Sequence, residues 1–415
     1  MLRDMVETIR SVARFAPVES DPTTRRLNRA ASVTDLRRVA RRRLPGGIFD
    51  YLDGGAEDER TLAANTGDFA SVGLRPRVLR DVSSVDTSTE LLGRSLPLPL
   101  VLSPTGFTRI ADPEGELAVA RAAARARLPY TLSTLATRSI EEVAGTSAGP
   151  LWFQVYVWRD RGLVTDLLSR AADSGYEAIV LTVDTAVPGR RERDVRRGFS
   201  LPPKIGPGTL VDGALHPGWT WSFVRSDPIT FANVAGQGVG DGSTAVSLAD
   251  YIASQFDPTL SWADLDWLRS AWSGPIVIKG IQTVADAVLA ADVGIDAIAL
   301  SNHGGRQLDT APSPISLVAP VADAVGDRVE IICDGGIRRG SDIVKALALG
   351  ADAAMIGRAY LWGLAAAGER GVDHVLGMLA DDVARTMALL GVTSIDELEP
   401  DLVAPPTGPV AGDAK

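Results

Sequence analysis

Short apolar segments recur along this chain, separated by stretches with helical periodicity. Eight segments share this character and are interpreted as strands: Leu98–Ser103, Pro129–Ser133, Leu151–Tyr156, Ala178–Asp184, Pro275–Lys279, Asp296–Ser301, Glu330–Asp334 and Ala353–Gly357. Their continuous apolarity is typical of strands buried on both faces, as in a parallel sheet. Eight strand–helix repeats predict an α/β fold, a (β/α)8 TIM barrel. An open doubly wound sheet is the alternative, but it more often has about five or six strands and a glycine-rich first turn, which is absent here.

The predicted barrel spans residues 96–397 and leaves three other parts of the chain to place. Residues 1–95 precede it and are predicted to form an N-terminal helical extension. Residues 398–415 follow it and are expected to form a flexible tail, because the chain ends in a stretch rich in Pro, Gly and Ala. The third part is a long insertion after the fourth strand, at about residues 192–260.

The insertion makes the fourth connection abnormal, because Asp184 and Pro275 lie 91 positions apart. Its distinctive residues are aromatic, basic or glycine: Trp219, Trp221, Phe223, Arg225 and the stretch Gly236–Gly242. Connections of this length usually form lids, binding segments or mobile loops. Aromatic and basic residues together also suit an interfacial foot on a membrane, so a lid and a foot both stay open.

Composition and charge narrow the partners and the compartment. The 415 residues carry a net charge of −10 with a pI near 5.0, which argues against nucleic acid as the main partner. Cys333 is the single cysteine, so no internal disulfide can form, and its apolar surroundings favour a core role. The N-terminus lacks an apolar signal region, and no stretch approaches the roughly 20 apolar residues of a membrane span. We expect a cytoplasmic protein, with peripheral contact on the inner face of the cell membrane left open.

Polar or glycine residues stand at the end of every predicted strand. They are Ser103 to Gly106, Ser133, Gln154 and Tyr156, Thr182 and Asp184, Lys279, Ser301 and His303, Asp334, and Gly357 with Arg358. The C-terminal ends of barrel strands all face one mouth, where enzymes of this fold place their chemistry. The eight strand ends therefore predict one functional site.

His303 and Arg306 are the most informative residues of that site. They lie three positions apart, next to Gly304 and Gly305, directly after the sixth strand. A base beside a permanent cation is suited to removing a proton from a bound anion. Asp184 fits a buried carboxylate that orients His303 and stabilises its protonated form. Taken alone, the His-Gly-Gly-Arg motif fits a capping histidine with a surface arginine equally well.

The last two strand ends and the fifth predict an anionic cofactor. Glycine and arginine follow strand seven in Asp334–Gly340 and strand eight in Gly357-Arg358. Loops at these places commonly bind phosphate through backbone N–H groups. Lys279 ends an apolar strand, so its charge must meet an anion or an electron-rich ring. A flavin edge and a covalent Schiff base are the two alternatives for Lys279.

Together these residues resemble the FMN-dependent α-hydroxy-acid oxidase and dehydrogenase family, over about residues 33–398. The resemblance rests on six motifs: Phe49–Asp58, Ser103–Phe107, Trp152–Tyr156, Thr182–Asp184, Ser301–Asp309 and Asp334–Gly340. Within that family the chain is most similar to the bacterial quinone-linked L-lactate dehydrogenases. That closer similarity lies in Leu132–Leu135, His216-Pro217 with its tryptophans, and Phe256–Pro258.

The resemblance implies a role for each matching residue, and no metal. It makes His303 the base, Asp184 its partner, and Tyr156 the contact to the substrate hydroxyl. Arg191 and Arg306 would hold the substrate carboxylate, with Tyr51 assisting. The residues implied to hold FMN are Pro104, Thr105, Gly106, Ser133, Gln154, Thr182, Lys279, Ser301, Asp334, Gly335, Gly336, Arg338, Gly357 and Arg358.

The implied reaction is oxidation of a small L-2-hydroxy acid, with L-lactate as the first expectation and a quinone as electron acceptor. Gly106 stands where many oxidases of the family have alanine, and Leu135 where plant-type oxidases have tryptophan. In the family, glycine at the first position occurs in dehydrogenases and in a lactate monooxygenase, so Gly106 weakens the oxygen-using oxidase alternative without removing it. Leu135 favours the bacterial dehydrogenases. Both positions also leave room for a bulkier side chain than the methyl of lactate. The resemblance further implies a homo-oligomer, a tetramer. A barrel isomerase using Lys279 covalently and a non-catalytic FMN-binding protein are the other function classes.

Overall fold

A computed structural model describes residues 19–197, 206–234 and 254–404. It confirms the predicted barrel: eight parallel strands close in the order β7-β8-β1-β2-β3-β4-β5-β6. In chain order, β1 to β8 are Leu100–Leu102, Tyr130–Ser133, Leu151–Val155, Ala178–Thr182, Ile276–Ile281, Ala297–Ser301, Glu330–Asp334 and Ala353–Ile356. Each of the eight apolar segments contains or overlaps one of these strands.

Helices cover the outside of the barrel. Those that follow β1 to β8 are Gly115–Ala126, Ile140–Thr146, Arg161–Asp173, Asp264–Ala271, Val284–Asp292, Pro314–Val325, Gly340–Ala348 and Arg358–Ala367, with Glu369–Leu390 after the last. The insertion contributes Glu192–Arg197, Pro207–Leu215 and Pro217–Arg225, and a 3-10 turn, Thr108–Ile110, follows β1. Within the part of the chain that the structure describes, no helix is long and apolar enough to cross a membrane.

The barrel interior has an apolar lower part and a polar upper part. Inward-facing apolar residues such as Trp152, Val180 and Ile332 form one buried cluster with Leu91 and Leu96. Those two leucines belong to an antiparallel hairpin, Thr89–Leu91 with Arg94–Leu96, that precedes β1. The hairpin therefore closes the end of the barrel at which the strands begin, and the polar strand ends form the opposite mouth.

In the described part of the N-terminal extension, residues 19–95, the helices are Pro22–Asn28, Val33–Arg43, Gly46–Asp53 and Arg60–Ser71. The helix Gly46–Asp53 brings Tyr51 to the barrel mouth and is held there by its last residue. Asp53 is buried and accepts from Arg37 at 2.5 and 2.7 Å and from Arg193 of the insertion at 3.1 Å. An ion-pair network thus joins the extension to the insertion.

The described part of the insertion is packed against the loops after β1 and β2. The indole of Trp219 donates to the carbonyl of Ile110 (2.8 Å) and stacks on Phe223 at 4.7 Å between ring centroids. Trp221 is instead 61% exposed, with the guanidinium of Arg225 4.1 Å from its ring centroid. The four residues of the expected foot therefore divide into a packed pair and an outward-facing pair. The glycine-rich stretch Gly236–Gly242 lies outside the described residues.

The expected tail begins later than residue 398. Val403–Ala404 pairs antiparallel with Gly73–Leu74, and the preceding Leu402 is fully buried. This segment is ordered because its apolar side chains pack on the core and its backbone bonds to the extension. The Pro, Gly and Ala residues that predicted a tail lie mainly in residues 405–415, which are outside the described residues.

Candidate active site

A cavity of about 330 Å³ occupies the barrel mouth. It brings together most of the predicted site residues: Tyr51, Pro104, Thr105, Gly106, Ser133, Tyr156, Thr182, Arg191, Lys279, His303, Arg306, Asp334, Gly335, Gly336, Arg338, Gly357 and Arg358. The other three, Gln154, Asp184 and Ser301, are not part of its lining. They lie directly behind lining residues, to which each is hydrogen-bonded.

His303 and Asp184 form a hydrogen-bonded pair at the ends of β6 and β4. Nδ1 of His303 lies 3.0 Å from Oδ1 of Asp184, which leaves Nε2 for other partners. The backbone of His303 has a φ of 57°, a left-handed conformation that residues with side chains rarely adopt, and strain of this kind concentrates at functional sites. Burial would raise the pKa of Asp184, but His303 and Lys279 outweigh it and hold that pKa below its usual value. An ionised carboxylate thus faces the imidazole.

Two arginines flank the ring of Tyr51. The guanidinium carbons of Arg306 and Arg191 lie 5.1 and 5.3 Å from its centroid. Arg306 donates to the carbonyls of Tyr51 (2.7 Å) and Gly54 (3.0 Å), which fixes its orientation, while Arg191 pairs with Asp194 at 3.3 Å. Burial, together with the charge of Arg191, lowers the pKa of Arg306 to about 9. Two crowded cations of this kind are suited to binding a carboxylate.

The remaining wall of the cavity is mostly apolar. Tyr156 is buried and packs edge-on against Phe256, with ring centroids 5.2 Å apart. Burial and the nearby Asp184 raise the pKa of Tyr156, so its hydroxyl keeps its proton. Leu135 and Phe231 complete this wall.

Lys279 and Asp334 form a buried ion pair at the centre of the mouth. Nζ of Lys279 lies 2.7 Å from Oδ2 of Asp334 and donates to the hydroxyl of Ser301 at 2.8 Å. Ser103 and Ser301 both donate to Asp334, at 2.6 and 2.8 Å. Burial alone would lower the pKa of Lys279, but the Asp334 and Asp184 carboxylates raise it. Lys279 is therefore a cation, which disfavours a covalent Schiff-base role because that chemistry needs a neutral amine.

Gln154 has an unused donor behind the lining of the cavity. Its Oε1 accepts from the hydroxyl of Ser133 (3.1 Å) and from the backbone of Thr134 (3.3 Å). Its Nε2 is buried and has no hydrogen-bond partner among the described residues. A buried donor without a partner costs free energy of folding. This amide is therefore suited to donating to a carbonyl of a ligand ring such as a flavin.

The arginines after β7 and β8 supply the positive charge that a phosphate needs. Arg338 and Arg358 are both partly buried, and loss of solvent around their guanidiniums lowers the pKa of each to about 10. Arg338 lies 4.7 Å from the ring centroid of Trp362. Arg358 donates to three backbone carbonyls, those of Leu52, Gly54 and Gly304. An anion between these two guanidiniums would relieve the cost of burying them.

Glycine is present in these loops for two different reasons. A Cβ on Gly336 would lie 1.8 Å from the carbonyl oxygen of Asn65, so this glycine is required by the helix Arg60–Ser71 packed on it. A Cβ on Gly357 would meet nothing closer than 3.7 Å. Glycine at position 357 instead suits the close approach of a ligand to the backbone.

Some residues of the cavity were missed by sequence reasoning. Phe231 comes from the insertion, and its only sequence signal was its apolar character, which does not place it over a barrel mouth. Phe256 lies within a motif quoted for the resemblance but had no role assigned. Gln307 lies between the predicted Arg306 and the solvent-exposed Leu308, and likewise had none.

Comparison with known proteins gives the family. The chain matches the family model described as FMN-dependent dehydrogenase over residues 40–405. A protein named L-lactate dehydrogenase from Caulobacter vibrioides is 46% identical over 375 residues, covering 90% of this chain and 97% of that protein. Another of this name from Alcaligenes faecalis is 43% identical over 374 residues, covering 90% and 98%.

Among solved structures, the monotopic membrane protein (S)-mandelate dehydrogenase is similar with a TM-score of 0.88 at 41% identity, covering 91% of this chain and 100% of that one. The resemblance drawn from the motifs is confirmed by these matches. A cavity lined by two partly buried arginines, with the amide of Gln154 behind its lining, fits the cofactor of the family. The chain belongs to the FMN-dependent dehydrogenase family, and FMN is its cofactor.

Proposed function

We propose that this enzyme oxidises an L-2-hydroxy acid to the 2-oxo acid, with L-lactate as substrate and a quinone-like molecule as electron acceptor. The observation that supports it most is the convergence, in one cavity, of the His303–Asp184 pair with Arg191 and Arg306. A carboxylate and a hydroxyl on neighbouring carbons match this arrangement of two cations beside a base. The L-lactate dehydrogenase relatives and the mandelate dehydrogenase neighbour agree with this substrate class.

In this mechanism the substrate carboxylate binds between Arg191 and Arg306, which orients the carbon bearing the hydroxyl. Tyr156 keeps its proton and donates to the substrate oxygen, which becomes a carbonyl. Oxidation removes two electrons and two protons from the substrate; His303 accepts one of those protons at Nε2, and Asp184 stabilises the resulting imidazolium. FMN, when bound, would supply the acceptor for the two electrons and, in the net reaction, for the other proton. Phe231, from the insertion, and Leu135 add apolar surface to the wall of the cavity.

The residues proposed to hold FMN act by charge and by backbone contact. Arg338 and Arg358 bind its phosphate, with Gly335, Gly336 and Gly357 at the loops that approach it. Lys279 places a positive charge at the ring, held in position by Asp334, Ser301 and Ser103. The other residues proposed to contact FMN are Pro104, Thr105, Gly106, Ser133, Gln154 and Thr182.

The substrate and the acceptor can be tested in one spectroscopic experiment. The purified flavoprotein is mixed anaerobically with L-lactate, and loss of its yellow absorbance is expected. Bleaching by (S)-mandelate but not by lactate would make the substrate a larger 2-hydroxy acid. Fast reoxidation by a soluble quinone and slow reoxidation in air are expected. Fast reoxidation in air would instead support the alternative, an α-hydroxy-acid oxidase or lactate monooxygenase.

The role of His303 has a direct test. His303→Gln is expected to slow flavin bleaching by about a hundredfold to ten-thousandfold, the usual contribution of a general base. His374→Gln is the matched control, because His374 bonds to the carbonyl of Ala30 (2.9 Å) and does not line the cavity. Unchanged bleaching in His303→Gln would rule out the proposed mechanism.

We also propose peripheral contact with the inner face of the cell membrane, through the insertion. Trp221 and Val224 on the helix Pro217–Arg225 and Leu215 on the helix before it are exposed. The described part of the insertion also packs over the mouth, through Phe231. In this proposal the described part of the insertion has both roles left open by the sequence. Its inner side covers the mouth as a lid, and its exposed apolar side contacts the membrane as a foot.

A homo-oligomer is proposed as the working form. Exposed apolar residues occur in two neighbouring segments, Val78 with Leu79 and Leu389. The segments are adjacent because the backbone of Arg77 donates to the carbonyl of Leu390 at 3.0 Å. Apolar residues grouped in this way favour contact with another copy of the chain.

A further inference from the structure

Gln307 is placed between the two loops that hold the proposed catalytic groups. One loop follows β6 and contains His303 and Arg306; the other follows β4 and contains Asp184 and Arg191. Gln307 itself belongs to the first loop and lines the cavity. Its side chain extends across to the backbone of the second.

Three hydrogen bonds fix this side chain. Its Nε2 donates to the carbonyls of Asp184 (3.0 Å) and Val187 (3.1 Å). Its Oε1 accepts from the backbone N–H of Gly189 at 3.1 Å. The amide therefore needs both its donor and its acceptor, a combination that neither a glutamate nor an apolar residue supplies.

The two loops are also in direct backbone contact at this place. A Cβ on Gly189 would lie 2.2 Å from the carbonyl oxygen of Arg306 and 2.6 Å from the Cα of Gln307. Glycine at position 189 allows this approach, and the amide of Gln307 then sets the register of one loop on the other. The segment after Tyr51 joins them, since Ala56 donates to the carbonyl of Gly305 (2.8 Å).

We propose that Gln307 is a positioning residue for the reaction: it holds the β4 loop so that Asp184 faces His303 and Arg191 faces Arg306. Because the carbonyl bound by Gln307 is that of Asp184 itself, loss of the amide changes the position of this carboxylate first. The side chain lines the cavity beside Arg306 and is not among the residues proposed to hold FMN. The inference rests on the proposed roles of His303 and Arg191.

The test uses the flavin-loaded enzyme and two variants of Gln307. Gln307→Met keeps the length of the side chain and removes all three bonds; Gln307→Glu keeps the shape and turns the donor toward two carbonyls into an acceptor. In both, FMN content is expected to stay at the wild-type level. The rate constant of flavin bleaching at saturating substrate is expected to fall by about tenfold to a hundredfold, because misplacement of catalytic groups acts on the chemical step. KM is expected to rise by a smaller factor.

Leu308→Ala is the matched control, because Leu308 is the next residue and is 68% exposed. It is expected to leave the bleaching rate unchanged. If Gln307→Met does not fold, Gln307→Glu tests the two bonds that Nε2 donates, to the carbonyls of Asp184 and Val187. Bleaching rates within about twofold of wild type in the folded Gln307 variants would overturn the proposal, since that difference is too small for a lost alignment.

A double-mutant cycle separates positioning from a general structural effect. If Gln307 acts through Asp184, adding Gln307→Met to Asp184→Asn is expected to slow bleaching by less than about threefold, because the interaction is already lost. A second loss as large as the first would overturn the proposal. The His303→Gln variant separates a failure of the proposed function from a failure of the positioning role. Full activity in His303→Gln would contradict the proposed function. Loss of activity in His303→Gln, together with full activity in the Gln307 variants, would contradict the positioning role alone.

Discussion

Arg306 shows how a single residue is prepared for its ligand. Its guanidinium donates to two backbone carbonyls of the segment at Tyr51 and Gly54, and its nearest cationic neighbour is Arg191. Burial and this neighbour lower its pKa to about 9, so the folded protein holds the charge at a cost. A bound carboxylate removes that cost, and this difference is the physical source of substrate affinity.

The pH dependence of substrate binding follows from this pKa. Below about pH 9 Arg306 is charged and attracts the carboxylate; above it the charge is lost, so KM is expected to rise as the pH increases from about 8 to about 10. The bound carboxylate raises the pKa again, so kcat is expected to persist to higher pH than kcat/KM. Initial rates across this range measure both. A KM that stays constant to about pH 10 would contradict the assignment.

Lys279 gives a prediction about stability. In Lys279→Met the carboxylate of Asp334 stays buried without its cation, which is expected to lower the free energy of unfolding by about 3–5 kcal/mol. Denaturant unfolding measures the change. Adding Asp334→Asn is expected to recover part of it, because the uncompensated charge is then removed. An equal or larger loss in the double variant would show that the two side chains do not act as a pair.

At this scale the sequence was most informative where chemistry is unusual. His303, Asp184 and the two arginines could be found because bases and cations at the ends of buried strands need an explanation. Phe231 and Gln307 could not, because an aromatic in an insertion and an amide on a loop have many ordinary uses. Gly336 was assigned to a cofactor loop, and its steric reason, the carbonyl of Asn65, lies 271 positions earlier in the chain.

At the scale of elements, the insertion shows what periodicity cannot resolve. Trp219 and Trp221 are two positions apart, and the sequence placed both in one candidate foot. On the helix Pro217–Arg225 they point in different directions: Trp219 bonds to Ile110 and Trp221 faces outward. The barrel strands were easier to predict, because their apolarity is continuous and each ends in a polar group. The segment 398–404 was mistaken for tail because its pairing partner, Gly73–Leu74, is distant in sequence.

The outer side of the insertion gives a membrane prediction. Trp221→Ser is expected to weaken binding to neutral phosphatidylcholine vesicles by about tenfold, the contribution of one large apolar side chain. Co-sedimentation measures it, and kcat is expected to be unchanged. Val293→Ser, at an exposed site directly after the helix that follows β5, is the control. Equal binding by wild type and Trp221→Ser would argue against this helix as the contact.

At the scale of the whole molecule, the surface combines a net charge of −10 with a few apolar patches. Repulsion between like-charged molecules opposes unspecific association, so contact between copies must depend on local complementarity. The group formed by Val78, Leu79 and Leu389 is suited to this. The sequence alone did not locate it, because exposed residues of this kind are recognised only when the folded surface is known.

Leu79→Asp tests this surface. A buried, unpaired carboxylate at an interface between copies is expected to shift the assembly toward monomers, with the barrel intact. Light scattering after size-exclusion chromatography measures the mass, and flavin absorbance reports the fold. Leu289→Asp is the control, because Leu289 is an exposed residue of another helix. No change in the mass of the assembly is expected for it. An assembly that survives Leu79→Asp would place the interface elsewhere.

The hairpin that seals the lower end of the barrel has a kinetic consequence. Because Leu91 and Leu96 fill that end, the described residues leave the cavity open to solvent at the mouth and closed at the opposite end. The 2-hydroxy acid and the electron acceptor must then bind in alternation, and each must leave before the other binds. Steady-state rates measured with both varied are expected to follow a ping-pong pattern, with parallel lines in double-reciprocal plots. Intersecting lines would mean that both molecules fit the cavity together.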